Sequence, residues 1–373
     1  MKEIVPALVG GWGAVFATLA GLALGCVLTA TVARWFGERS RFERSIQLLM
    51  AVGAAALWWW EVPMAGLTPQ AADGGLFPAN QAHALGRWAG HLVFFTLLAA
   101  ATWIDMRQRV IPDWITVTGV VLGLAAAWLL NESFLPIGWE IERSFAAPEV
   151  VPDVLGAFGG LRSESGPAWL GGSPHVGGLV LAVVIATAWW FVCTAPFIET
   201  DGGRSAFIIE PRNLLLGFGL VGVGGAWLAG GERFCALQSS LIGLAASAGL
   251  VWAVREGASR AMGREAMGFG DVTLMAMIGA WLGWQPAVLV FFGATFIGLA
   301  HGLGGLVLHR DNELPYGPSL CLAAVLVVVA WRPVWVRVGV FFADPLVLGG
   351  VLTAVVVLTA VALSAWQWVR QRT

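Results

Sequence analysis

The sequence predicts an all-α fold: a polytopic transmembrane helical bundle of about eleven spans, with the N-terminus outside and the C-terminus in the cytoplasm. Three observations lead there. Hydrophobic residues make up 58% of the 373-residue chain, charged residues only 12%, and the mean hydropathy is +0.78. A soluble chain averages about 25% charged residues and needs them to cover its surface. The apolar residues also fall in long runs, and the arginines gather at alternate ends of those runs. The net charge of -2 argues against a nucleic-acid partner, which requires a basic face. No ordinary soluble domain fits between the runs.

A bilayer core of ~30 Å takes roughly 20 apolar residues per helix. On that ruler the spans lie near 7–33, 46–62, 88–104, 114–130, 176–198, 213–230, 238–254, 271–283, 287–308, 317–331 and 345–368. Segment 271–283 is short enough to be a half-span. Backbone groups in lipid must be satisfied internally, so these runs read as helices. The first run follows only Lys2 and has no small-residue cleavage site, so it reads as a retained span.

Orientation comes from the short basic loops. Arg34, Arg39, Arg41 and Arg44 follow the first span, Arg107 and Arg109 the third, and Arg255, Arg260 and Arg264 the seventh, with Arg370 and Arg372 in the tail. An odd number of spans puts all of them in the cytoplasm. Arg87, Arg233, Arg332 and Arg337 are exceptions. The external loop 131–175 carries six acids (Glu132, Glu140, Glu142, Glu149, Asp153, Glu164) against two arginines, and is long enough for a short helix. The stretch 63–87, rich in Gly, Ala and Pro, reads as irregular surface.

Other features have structural readings. Cys26, Cys193, Cys235 and Cys321 are too scattered for a zinc or redox motif and read as small hydrophobes. His83, His91, His175, His301 and His309 form no metal-ligand spacing, and His91 and His301 read as packing or buried hydrogen-bonding residues. Trp58, Trp59 and Trp60 read as an interfacial belt. Gly298-x-x-x-Gly302 reads as ordinary helix packing.

Two carboxylates stand apart. Asp105 closes the third span in the run Trp103-Ile104-Asp105-Met106-Arg107-Gln108-Arg109-Val110-Ile111-Pro112-Asp113. Asp271 opens a span after Met267-Gly268-Phe269-Gly270, where two glycines permit an unusual backbone. Singly, Asp105 fits a helix end, Asp113 a first helical turn and Asp271 a helix cap. Together, on the same membrane face, they raise a functional hypothesis. Two such carboxylates in a partly dry site share a proton, and the ionised one can deprotonate a water.

The run Ile104–Asp113 with Gly268-Phe269-Gly270-Asp271 resembles the bacterial prepilin peptidases, membrane aspartic proteases of the GxGD type. Arg264-Glu265-Ala266-Met267, Gly279-Ala280-Trp281-Leu282-Gly283-Trp284 and Leu314-Pro315-Tyr316-Gly317-Pro318 resemble further segments of the family in the same order. The resemblance implies an endopeptidase that removes the leader of type IV prepilins or pseudopilins, serving type IV pili or type II secretion, in the bacterial inner (cytoplasmic) membrane. It makes Asp105 and Asp271 the catalytic pair. Asp113, Gly268, Gly270, Pro315, Gly317 and Pro318 become substrate-binding or site-shaping residues, and Glu265 a solvated loop charge or second acid. Asp113, Glu199, Asp201 and Glu256 are acids available to a basic leader.

The chain also departs from the family. Bifunctional members carry a Cys-x-x-Cys domain after the first span and N-methylate the new terminus, whereas loop 35–45 has no Cys. No zinc is expected, and S-adenosylmethionine is needed only if methylation persists. Gly25, Leu28 and Arg34 alone match the family's first helix. Thr273 stands where the family has Lys. The resulting divisions are 1–87, N-terminal helices without a zinc-binding domain; 88–130, first catalytic segment; 131–237, inserted loop and hairpin; 238–330, second catalytic segment; and 331–373, an added helix. An inserted hairpin leaves Asp271 on the side of Asp105. The competing expectation is an ion- or proton-coupled transporter using the same carboxylates.

Overall fold

A computed structural model of the chain describes residues 11–64, 66–67, 81–130, 140–141, 149–150, 176–198, 211–263, 265, 267–307, 316–338 and 342, with further helical positions between 349 and 357. Among the described residues the regular secondary structure is helical apart from one antiparallel ladder of two-residue strands, β1 (Glu140–Ile141) and β2 (Glu149–Val150). That ladder stands in loop 131–175, read as an irregular connection long enough to contain a short helix.

The helices are α1 (Gly11–Phe36), α2 (Glu43–Glu61), α3 (Gln81–Gln108), α4 (Asp113–Leu129), α5 (Val176–Ile198), α6 (Pro211–Ala229), α7 (Gly231–Met262), α8 (Phe269–Leu282), α9 (Trp284–Val307), α10 (Tyr316–Val329) and α11 (Trp331–Val338). Five of them are long and apolar enough to cross a membrane: α1, α3, α5, α7 and α9. Helices α4, α6, α8 and α10 are apolar but shorter. These are the helices of a multi-pass membrane protein. Helix α3 begins at Gln81, inside the stretch expected to be irregular, and α11 follows the tenth expected span as a separate short helix. The eleventh span lies largely outside the described residues.

Helix α8 is the centre of the bundle. Its fourteen residues rise about 21 Å, less than the ~30 Å hydrocarbon thickness. Every residue from Asp271 to Leu282 is buried, as suits a helix that is apolar all round. Its neighbours are α7, α4, α9 and α10. Burial at this depth requires small residues on the facing helices, because lipid-phase packing is driven by close contact. Helix α7 crosses α8 where Gly243 meets Gly279 backbone to backbone, and a Cβ on either would overlap the other helix. Helix α4 offers Gly119 to Met277 and Gly123 to Trp281. Hydrogen bonds add direction to the packing. Ser240 Oγ donates to the Ala280 carbonyl at 2.6 Å, Ser247 Oγ to that of Met275 at 2.7 Å, and Trp281 Nε1 to that of Gly119 at 2.8 Å.

These contacts also set polarity. Contacts between α4 and α8 advance in the same direction along both chains (119 with 277, 123 with 281), so the two helices are parallel and start at one end of the bundle. Helix α7 runs antiparallel to α8, pairing 240 with 280 and 247 with 275.

A second packed group joins α1, α2 and α3. In it Glu61 and His91, both buried, bond through Oε1 and Nδ1, while Trp88 Nε1 donates to the Ala54 carbonyl at 3.2 Å. His91 is thus the hydrogen-bonding residue anticipated. Of the three tryptophans read as a belt, Trp58 is core, Trp59 exposed, and Trp60 lies over Gly66. Removing one member of a buried ionisable pair strands the other, at a cost of about 3–5 kcal/mol. Glu61→Leu or His91→Leu alone should therefore destabilise the detergent-solubilised protein by about that amount, and the double variant by less than the sum. Thermal unfolding of the three variants measures this.

Candidate active site

Four helix ends meet at one end of the bundle: the C-terminal turn of α3 and the first turns of α4, α8 and α10. Asp105 lies in the last turn of α3, only 4% exposed. That helix ends at Gln108, and Arg109 takes a left-handed backbone (φ 55°) while its N–H reaches the Asp105 carbonyl at 2.8 Å. The chain then extends through Pro112 (φ -69°, ψ 134°), which precedes α4 and suits a fixed-φ residue without a backbone donor. Asp113 opens α4 and is exposed.

Asp271 lies in the first turn of α8, 8% exposed, three residues after the N-cap Gly268. The glycines before it do not take the unusual backbone expected. Gly268 is extended (φ -64°, ψ 148°), and neither it nor Gly270 has positive φ. What Gly270 supplies is space: a Cβ there would lie 3.1 Å from Ile111 Cβ. The same isoleucine reaches toward Gly317 on α10, where a Cβ would lie 3.0 Å from Ile111 Cδ1 and overlap Asp105 Oδ2. Ile111 is thus wedged between two glycines, and the Asp105 carboxylate rests directly on the first turn of α10.

Each carboxylate consequently sits at a helix N-terminus, Asp271 at its own and Asp105 at that of α10, where the helix dipole favours negative charge. Asp105 is near enough for its charge to act on Asp271. The surroundings come from α3, α9 and α10. Cys321, buried on α10, hydrogen-bonds Thr102 and is within electrostatic reach of both aspartates. The Tyr316 hydroxyl donates to the Phe291 carbonyl at 3.3 Å and lies 3.4 Å from Thr295 Oγ1. Thr273, the departure from the family's Lys, is buried with its hydroxyl donating to the Gly270 carbonyl at 3.0 Å. A lysine there would place an ammonium in a packed helix interface.

Of the residues singled out in the sequence, Asp105, Asp271, Gly270 and Gly317 are brought together. Pro318 follows Gly317 in the same turn, and Gly268 is exposed at the start of α8. Asp113 lies apart, at the surface. Glu265 pairs with Arg255, and Glu256 with Arg260. Pro315, Glu199 and Asp201 lie outside the described residues. Among the described residues no group of three or more His, Cys, Asp or Glu is arranged to hold a metal ion.

Sequence reasoning missed Ile111 as the spacer, and it missed the α1 contacts on the link. Trp35 Nε1 donates to Gln108 Oε1 at 2.8 Å and its ring lies 6.2 Å from that of Trp114. Arg107 lies over Phe36 at 4.8 Å and pairs with Glu38 at 3.4 Å. Aromatic residues directly after an apolar span were the available signal.

Residues 205–303, which include α8 and Asp271, match the model of the type IV leader peptidase family. This segment of the chain is similar to that family. A curated relative, the prepilin leader peptidase/N-methyltransferase of Aeromonas hydrophila, is 34% identical over 93 residues, 24% of this chain and 32% of the relative. Those of Pseudomonas putida (28% over 156 residues; 41% and 51% of the two chains) and Neisseria gonorrhoeae (27% over 198 residues; 53% and 61%) align over longer stretches. The chain therefore spans between a third and three fifths of the length of these relatives. No solved structure matches.

The wedge makes a direct expectation. Gly317→Ala drives a methyl group into the Asp105 carboxylate and should destabilise the protein by about 1–3 kcal/mol, as overpacking does. Gly222→Ala on α6, where a Cβ meets nothing within 4 Å, should leave stability unchanged or raise it by about 0.4–1 kcal/mol. Thermal unfolding in one detergent compares the two.

Proposed function

We propose that the chain is a membrane aspartic endopeptidase that cleaves the leader of type IV prepilins or pseudopilins at the cytoplasmic membrane face. One observation carries the reading: two buried carboxylates from distant parts of the chain meet at one end of the bundle, each at a helix N-terminus, and one of them, Asp271, lies in the segment that matches the leader peptidases. Asp105 and Asp271 form the dyad. With one proton between them, the ionised carboxylate takes a proton from a water that attacks the scissile carbonyl. The protonated one donates to the carbonyl oxygen, and the leaving amine is protonated as the tetrahedral adduct collapses.

The enzyme acts in the bacterial inner membrane through about eleven spans, N-terminus outside, so that the dyad faces the arginine-rich side. Asp113, exposed at the start of α4, is an acid available to a basic leader. Proteolysis needs neither zinc nor S-adenosylmethionine; the latter is required only if N-methylation is retained, and loop 35–45 has no Cys. Residues 88–130 and 238–330 form the catalytic core, with 131–237 inserted and 331–373 appended. A position at one end of the bundle favours hydrolysis at a membrane face over ion passage, which calls for carboxylates near the midplane.

The test is cleavage of a co-expressed prepilin in membranes. Asp105→Asn and Asp271→Asn should each lower the rate at least about 100-fold, the scale of a lost general acid or base. Parental cleavage by either variant contradicts the dyad. The parent's rate should rise and then fall with pH as the pair passes from doubly protonated, through singly protonated, to doubly ionised, and both limbs should belong to the pair.

A further inference from the structure

The approach to Asp271 is tied down by one side chain of α7. Arg255 Nε donates to the Met267 carbonyl at 3.0 Å, its Nη2 pairs with Glu265 Oε1 at 2.5 Å, and its guanidinium lies 5.9 Å from the centre of the Phe269 ring. The three contacts fall on alternate residues on both sides of Gly268, the N-cap of α8. That cap has no side chain, so the first turn of α8 lacks a side-chain capping bond of its own. The middle and far end of α8 are already bonded to α7 and α4 through Ser247, Ser240 and Trp281. Arg255 is a side chain of a neighbouring helix that hydrogen-bonds the segment just before Asp271.

The side chain is suited to this task. A planar fork satisfies a carbonyl and a carboxylate together while its face covers an aromatic ring, whereas a lysine ammonium is a point donor. Arg255 is only 20% exposed, whereas Arg260, one and a half turns on, is 78% exposed and pairs with Glu256 of its own helix. Such exposed pairs contribute little.

We propose that Arg255 is a positioning residue for the hydrolysis: it holds Glu265, Met267 and Phe269, and with them the rotation of the first turn of α8 that aims the Asp271 carboxyl at Asp105. This rests on the reading of Asp271 as one half of the dyad. Arg255 acts on the peptide bond through Asp271 alone, so its loss affects turnover and not substrate affinity.

The experiment measures prepilin cleavage kinetics in membranes for the parent, Arg255→Met, Arg255→Lys, Arg260→Met and Asp271→Asn. Arg255→Met should lower kcat about 100-fold, the scale of a 1 Å misplacement, with KM within about threefold of the parent. Arg255→Lys should recover part of kcat by keeping one of the two acceptors. Arg260→Met should match the parent. If Arg255→Met does not accumulate in membranes, Arg255→Lys decides: reduced kcat at unchanged KM supports the proposal. Parental kcat in either Arg255 variant, or a change confined to KM, overturns it. Asp271→Asn separates the two levels. If it is inactive while Arg255→Met is parental, only the role of Arg255 fails; if it cleaves like the parent, the dyad reading fails.

Discussion

Ile111 occupies the space that side chains at residues 270 and 317 would fill, and the site depends on that contact. Its Cβ approaches the backbone of α8 and its Cδ1 that of α10, so one aliphatic side chain sets how the two helix starts stand against the α3–α4 link. Asp105 precedes this spacer on α3, and Asp271 follows the glycine it touches. A larger residue at either glycine has to move the spacer or the carboxylate behind it. The site is therefore positioned by packing, and interiors of this density hold atoms to a few tenths of an ångström.

The burial of α8 follows from the same constraint. An acid presented within a membrane must be reached by a helix that begins inside the protein, and a fourteen-residue helix surrounded by α4, α7, α9 and α10 does this without exposing its backbone to lipid. The glycines and serines that line it on α4 and α7 are the requirement for that placement. The N-terminal turn of α8 has no side-chain cap of its own, and there the neighbouring loop is held by Arg255. At the Asp105 segment, Trp35 and Phe36 of α1 and the following Glu38 hold the α3–α4 link. The two carboxylates thus rest on segments fastened by residues of different parts of the chain, Arg255 on α7 and Trp35 and Phe36 on α1.

Much of this was legible in the sequence. Ten of the expected apolar runs correspond to helices because the alternation of apolar runs and arginine loops depends only on composition along the chain. Asp105 and Asp271 were legible because a carboxylate beside an apolar run is costly wherever it lies. The glycines of the motif were read as permitting an unusual backbone and a close approach; Gly268 and Gly270 have no positive φ, and the missing Cβ at Gly270 and Gly317 makes room for Ile111 and Asp105. That distinction depends on Ile111, more than a hundred residues from either glycine, and local sequence carries no sign of it. The contact between Glu61 and His91 is equally non-local. Arg255 was read only as a marker of the cytoplasmic side, since the spacing to Glu265 and Met267 acquires meaning once α7 turns back at Gly263 (φ 64°).

The docking of the α3–α4 link on the start of α8 is measured most directly by a cysteine pair at residues 111 and 270. The ideal Cβ position at 270 lies 3.1 Å from that of Ile111, close to the ~3.5–4.5 Å spanned by the Cβ atoms of a disulfide. In a variant whose four native cysteines are replaced, Ile111→Cys/Gly270→Cys in membranes should cross-link rapidly under mild oxidation, with full recovery of both thiols on reduction. Absence of that cross-link, while a matched pair between α4 and α8 at Gly119→Cys/Met277→Cys forms readily, contradicts the account.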